Sequence, residues 1–178
     1  DLECIEPRSP AFLHSYFTPR EIELVERAGA DDARRTVLMT VIWSAKEAVL
    51  KALRLGLTVD TRWVECLLRD SDALMADDSH AGQLHLHSLG SDYGVSPFVS
   101  QRYQGNTRWG GFEIELDERV IERACSINDR FSGELSWQLS GMWTVMGKFA
   151  YTMAFAVPTF AAQHWQPITL QQVRVTPG

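Results

Sequence analysis

Between Asp31 and Gly56 the chain carries a pattern that leaves its local structure little choice. Val37, Leu38, Val41, Ile42, Ala45, Ala48, Val49, Ala52 and Leu53 recur at helical spacing and mark one buried side of an α-helix. Asp31 or Asp32 opens this helix and Gly56 ends it. Lys46, Lys51 and Arg54 lie towards its end, where the helix dipole favours positive charge. Thr40, Ser44, Glu47, Lys51 and Arg54 form a second stripe. Glu47 is thereby held mid-helix, on a rigid element rather than a loop.

The surrounding segments read as an α+β domain, with helices packed on a largely antiparallel sheet. Leu2 and Cys4 alternate with Asp1, Glu3 and Ile5 at strand period, which puts Asp1 and Glu3 on one face. Pro7 and Pro10 bracket a loop. Thr18-Pro19-Arg20-Glu21 starts a helix: Thr18 caps, Pro19 supplies the fixed φ of the first turn, and Glu21 closes a capping box. Phe17 can staple onto this helix, which runs to about Ala28 and stops at Gly29. Further on, Val64, Cys66 and Leu68, then Leu84 and Leu86, then Phe112, Ile114 and Leu116 alternate as strands. Asp70–Gly82 and Gln101–Gly111 are polar loops, and Glu118–Cys125 a short helix. Ser136–Val157 is apolar, yet Lys148 and glycines 141 and 147 interrupt it. Leu135, Trp137 and Leu139, then Phe149, Tyr151, Met153, Phe155 and Val157, alternate instead, as two core strands joined by a turn.

A chain of 178 residues with 45% apolar content supports one domain with a proper core. A net charge of −6 with no basic stripe argues against nucleic acid as a partner. No membrane association is expected. Cys4, Cys66 and Cys125 are widely spaced, without a Cys-x-x-Cys pair, which points to a reduced, cytoplasmic setting.

The chemistry concentrates in the first sixty residues. If the fold joins Asp1, Glu3 and Glu47, three carboxylates share one spot. Two unit charges about 4 Å apart repel by roughly 4 kcal/mol at an effective dielectric near 20. Such a cluster calls for a cation, and oxygen-only ligands suit Mg²⁺. Lys46 and Lys51 flank the same place and suit a phosphate-bearing substrate. Taken alone, Glu47 and Lys51 are an ordinary i,i+4 ion pair and Asp1-x-Glu3 an acidic strand edge. Their joint order turns the reading towards metal-assisted phosphoryl transfer.

Asp1-x-Glu3, Phe17-Thr18-Pro19-Arg20-Glu21, Trp43-Ser44-Ala45-Lys46-Glu47-x-x-x-Lys51 and Gly56 together resemble the 4′-phosphopantetheinyl transferase superfamily. The agreement runs to about Asp60. These enzymes move the phosphopantetheine arm of coenzyme A onto a serine of an apo acyl or peptidyl carrier protein. The resemblance implies that Asp1, Glu3 and Glu47 hold Mg²⁺ against the pyrophosphate of coenzyme A. It also implies that Glu47, or a water it orients, takes the serine proton, that Lys51 contacts the attacked phosphate, and that Lys46 helps bind coenzyme A. Glu at the third position favours the two-lobed transferases, or domains fused to fatty-acid or polyketide synthases, over the small trimeric synthases. The Gly-Val or Gly-Ile dipeptide usual before the first Asp does not precede Asp1, so residues 1–178 are read as one domain of a longer chain. A partner lobe or trimerisation would complete the site. The rival readings are a non-catalytic docking or scaffolding module of such a synthase, and an unrelated binding domain.

Other candidates carry less. Arg8, Arg20 and Arg54 could serve the carrier or coenzyme A phosphates but read as surface residues. Gly141–Phe149 has five residues between its glycines, and Phe149 where a phosphate-binding loop needs Ser or Thr. His85 and His87 lack a third ligand. Glu113 and Glu115 read as the wet face of a strand.

Overall fold

The computed structural model of the chain describes residues 1–69, 109–128 and 137–158. Among these, the strands are β1 (Leu2–Cys4), β2 (Val64–Leu68), β3 (Gly110–Leu116), β4 (Trp137–Met146) and β5 (Phe149–Pro158). The helices are α1 (Pro10–Tyr16), α2 (Pro19–Glu26), α3 (Asp32–Ala52) and α4 (Glu118–Ile127). The five strands form one antiparallel sheet in the order β1-β5-β4-β3-β2. The expected α+β architecture is the one observed. The expected strand at Leu84–Leu86, the 70–82 loop, His85, His87 and Leu135 lie outside the described residues.

Directly opposed residues of an antiparallel pair share a face. One face therefore carries Val64, Cys66 and Leu68 of β2 and Leu116, Ile114 and Phe112 of β3. It continues through Gly141, Trp143 and Val145 of β4 to Ala154, Thr152 and Ala150 of β5, and ends on Glu3 of β1. Helix α3 packs across this face against β5, β2, β4 and β1. Gly141 leaves room for the Phe112 ring: a Cβ there would come within 2.2 Å of it. Glu65, Glu113 and Glu115 take the opposite face, where Glu113 pairs with Arg69 at 2.9 Å and Glu115 with Arg20 at 3.0 Å.

The ends of the elements follow local chemistry. Asp31 caps α3 by accepting from Arg34 N at 2.9 Å. The capping box of α2 forms as expected, with Thr18 N donating to Glu21 at 2.7 Å. Helix α3 stops at Ala52 rather than running on to Gly56. Leu55 N bonds Leu50 O at 2.9 Å and Arg54 N bonds Lys51 O at 3.0 Å, a Schellman closure with Arg54 left-handed at φ 59°. Gly147, at φ 59°, is the first residue of the two-residue turn between Met146 and Phe149, the place where such hairpins require positive φ.

Two expectations need correction. The Pro7–Pro10 segment is not all loop, because Ser9 caps and Pro10 opens α1, with Phe12 N donating to Ser9 at 3.2 Å. Nor is α3 buried along one side only: Met39, Thr40, Trp43, Ser44, Lys46 and Leu50 are buried as well. The sheet covers one side while the Phe12 and Tyr16 rings of α1 cover Trp43 on another, at 5.1 and 5.3 Å between centroids.

Candidate active site

Strand β1 lies beside β5, with Glu3 opposite Ala150 and Thr152 N donating to Asp1 O at 3.1 Å. Asp1 and Glu3 thus point towards the face on which α3 lies, and Glu47 meets them there. One oxygen from each of Asp1, Glu3 and Glu47 lies within 4.8 Å of the others. Asp1 and Glu3 are thus brought to one point with Glu47, which lies 46 and 44 positions further along the sequence.

Two cations stand against this cluster. Lys51 Nζ pairs with Glu47 at 3.0 Å and also with Asp1. Arg8 pairs with Glu3 at 3.0 Å and lies over the Phe12 ring at 4.7 Å. The Asp1 side chain is only 7% exposed, Glu47 is 21% and Lys51 is 59% exposed. The acids are therefore held at the floor while the lysine reaches solvent. Three close carboxylates, all oxygen donors, fit a small hard divalent cation.

Behind the acids lie two buried hydroxyls. Ser44 Oγ donates to Asp1 Oδ2 at 2.9 Å and is 2.8 Å from Thr152 Oγ1. Sequence reading placed Ser44 on the stripe with Glu47 but gave it no role, and it did not single out Thr152. No local signal marks Thr152, since its relation to Asp1 exists only through strand pairing.

Lys46 is not part of this cluster. Its side chain is fully buried, pairs with the equally buried Glu21 at 2.7 Å, and donates to the carbonyls of Thr61 and Val64 at 2.9 and 2.7 Å. The expectation that it binds coenzyme A is corrected on that ground: its three donor positions are occupied and none faces solvent. Burial pushes the Glu21 carboxyl up, and Lys46 with the N–H groups of Cys66 and Thr18 draws it part of the way back. Arg20 is held between Glu65 and Glu115, at 2.7 and 3.0 Å. It bridges two like charges that face each other across β2 and β3. Arg54 lies exposed after α3.

One helical turn before Glu47, Trp43 borders an open groove of about 540 Å³ whose walls include Phe12, Tyr16, Leu57 and Val59, with Asp60 and Arg62 at its rim.

The fold is thus an α+β one in which a long helix crosses an antiparallel sheet, with an acid cluster and a lysine between the two. The model of the 4′-phosphopantetheinyl transferase superfamily matches residues 1–103, and the chain belongs to that superfamily. The match extends beyond Asp60, where the sequence resemblance ended. No curated protein and no solved structure matches the chain. Membership makes it a transferase of the phosphopantetheine kind, with coenzyme A and a carrier protein as the general partners. Among the described residues, no helix is long and apolar enough to cross a membrane.

Proposed function

We propose that this chain transfers the 4′-phosphopantetheine arm of coenzyme A to a serine of an apo acyl or peptidyl carrier protein, releasing adenosine 3′,5′-bisphosphate. The observation that carries the reading is the convergence of Asp1, Glu3 and Glu47 to within 4.8 Å. These three residues would hold Mg²⁺, which supplies charge neutralisation for the pyrophosphate and its leaving group. Glu47 accepts the proton of the carrier serine. The serine oxygen forms a bond to the phosphorus bearing pantetheine, and the phosphorus–oxygen bond to the adenosine-linked phosphate breaks, its electron pair leaving with the bisphosphate. Lys51, in contact with Glu47 and Asp1 yet reaching solvent, meets the attacked phosphate. The groove beside Trp43 offers the apolar surface on which a carrier can rest. A reduced, cytoplasmic setting fits these partners.

A second reading has an observation in its favour. Lys46 is buried in a structural pair and the net charge is −6, so among the described residues Lys51 and Arg8 are the cations paired with the acid cluster. A partner lobe or self-association would supply further cations for a polyanion; a non-catalytic docking module of a polyketide or fatty-acid synthase would not need them. Incubation with coenzyme A, Mg²⁺ and a panel of apo carrier proteins separates the two by carrier mass. Transfer by the native chain, with a loss of about 100-fold or more in Glu47→Ala, is expected. Tight carrier binding without any mass gain would instead make the chain a docking module.

A further inference from the structure

Asp1 is fixed from behind by side chains that belong to no part of the acid cluster. Helix α3 carries Thr36, Thr40 and Ser44 at four-residue intervals. Thr36 Oγ1 donates back to Asp32 O at 2.7 Å and Thr40 Oγ1 to Thr36 O at 2.8 Å, the usual resort of a hydroxyl within a helix. Ser44, next in the series, turns instead to Asp1 Oδ2 at 2.9 Å. A serine hydroxyl has one proton. With that proton given to Asp1, the 2.8 Å contact between Ser44 and Thr152 is filled by the Thr152 proton. The bonds therefore run one way, from Thr152 to Ser44 to Asp1.

Both hydroxyls are dry, with Ser44 fully buried and Thr152 1% exposed. Thr152 also pairs with Asp1 through the backbone, donating its N–H to Asp1 O at 3.1 Å. One residue of β5 thus fixes both the main chain and, through Ser44, the side chain of Asp1. The effect is to fix the Asp1 carboxylate at both ends, with Oδ2 held by Ser44 from behind and Oδ1 held by Lys51 on the cluster side. We propose that Ser44 and Thr152 are positioning residues of the transfer site, a buried hydroxyl relay that presents the Asp1 carboxylate to the divalent cation. The proposal rests on the acid cluster being a metal site. Thr152 stands outside the 1–103 match, so superfamily membership does not assign it.

The test is Mn²⁺ affinity of the whole chain, read by electron paramagnetic resonance of the free ion, alongside thermal midpoints. Loss of an outer hydrogen-bond partner costs 10–100-fold in metal affinity in well-studied sites. Ser44→Ala is expected to weaken Mn²⁺ binding by about tenfold or more. Thr152→Val keeps the shape but not the hydroxyl, and is expected to weaken it in the same direction. Thr152→Ser keeps the hydroxyl but loses a buried methyl, so it lowers the thermal midpoint while retaining native Mn²⁺ affinity. A merely structural role cannot separate affinity from stability in this way. Native affinity in Thr152→Val and Ser44→Ala, with Glu47→Gln impaired, would overturn the relay and leave the metal site standing. Equal Mn²⁺ binding by the native chain and Glu47→Gln would overturn the site and the relay together.

Discussion

Lys46 and Glu47 are neighbours in sequence with opposite fates. A helix turns about 100° per residue, so adjacent side chains face different surroundings. Lys46 falls in the row Ile42, Val49 and Leu53, all fully buried, and it meets Glu21 there. Removing one partner of a buried pair leaves an uncompensated charge, at a cost of about 3–5 kcal/mol. Lys46→Met should lose stability on that scale in urea unfolding. Glu21→Gln combined with Lys46→Met, which removes the charge but keeps an acceptor for the Thr18 and Cys66 N–H groups, should recover part of it. A phosphate-binding lysine would show the reverse, with lost transfer and intact stability. Ile42, Val49 and Leu53 read as buried from the sequence, but Lys46 was placed beside the acids and not in that row. Its partner was not legible, because Glu21 already had a role as a capping residue. Asp1, Glu3 and Glu47 were legible because spacing and order carried them. Cys66, whose N–H donates to Glu21 Oε1 at 2.7 Å, is fully buried, and burial pushes its thiol well above the usual range. It should resist iodoacetamide in the native protein at neutral pH and react on unfolding, which peptide mapping reads directly.

At the scale of elements, alternation located each described strand, helical period located α3, and the capping signals at Thr18–Glu21 located α2. Helix α1 escaped because two prolines in four residues read as a loop, although Pro10 is well placed in a first turn. The close approach of β3 and β4 was equally hidden. Gly141 looked like a break in an apolar run, and the structure shows it opposite Phe112. Gly141→Ala would drive a methyl into a packed ring, and overpacking of this kind costs about 1–3 kcal/mol. Phe112→Leu should relieve part of that loss, so denaturation of the two single variants and the double variant should give a non-additive cycle.

For the whole molecule, acid sets a limit whose sign follows from two caps. The Arg119 guanidinium holds the Asp117 carboxyl down at about 2, and Arg62 lowers that of Asp60. Carboxyls depressed in the folded state contribute stability that is complete above the unfolded value, about 4, and is lost as pH falls through the folded one. Thermal midpoints should therefore decline between about pH 4 and pH 2, and less steeply in Asp117→Asn. Glu21 acts in the opposite sense, since its raised carboxyl contributes below the unfolded value and ceases to as pH rises through the folded one.

The pairing of β1 with β5 sets when the acid cluster can form. Leu2 lies opposite Tyr151 and Cys4 opposite Phe149, so the acids made early wait for a strand made late. Closing so long a loop comes after the shorter-range pairings. During synthesis, Asp1 and Glu3 have no β5 to pair with until the 137–158 hairpin clears the exit tunnel. A nascent chain arrested before Phe149 should not bring Asp1 and Glu3 to Glu47, and a separately supplied hairpin peptide is the natural means of restoring that contact.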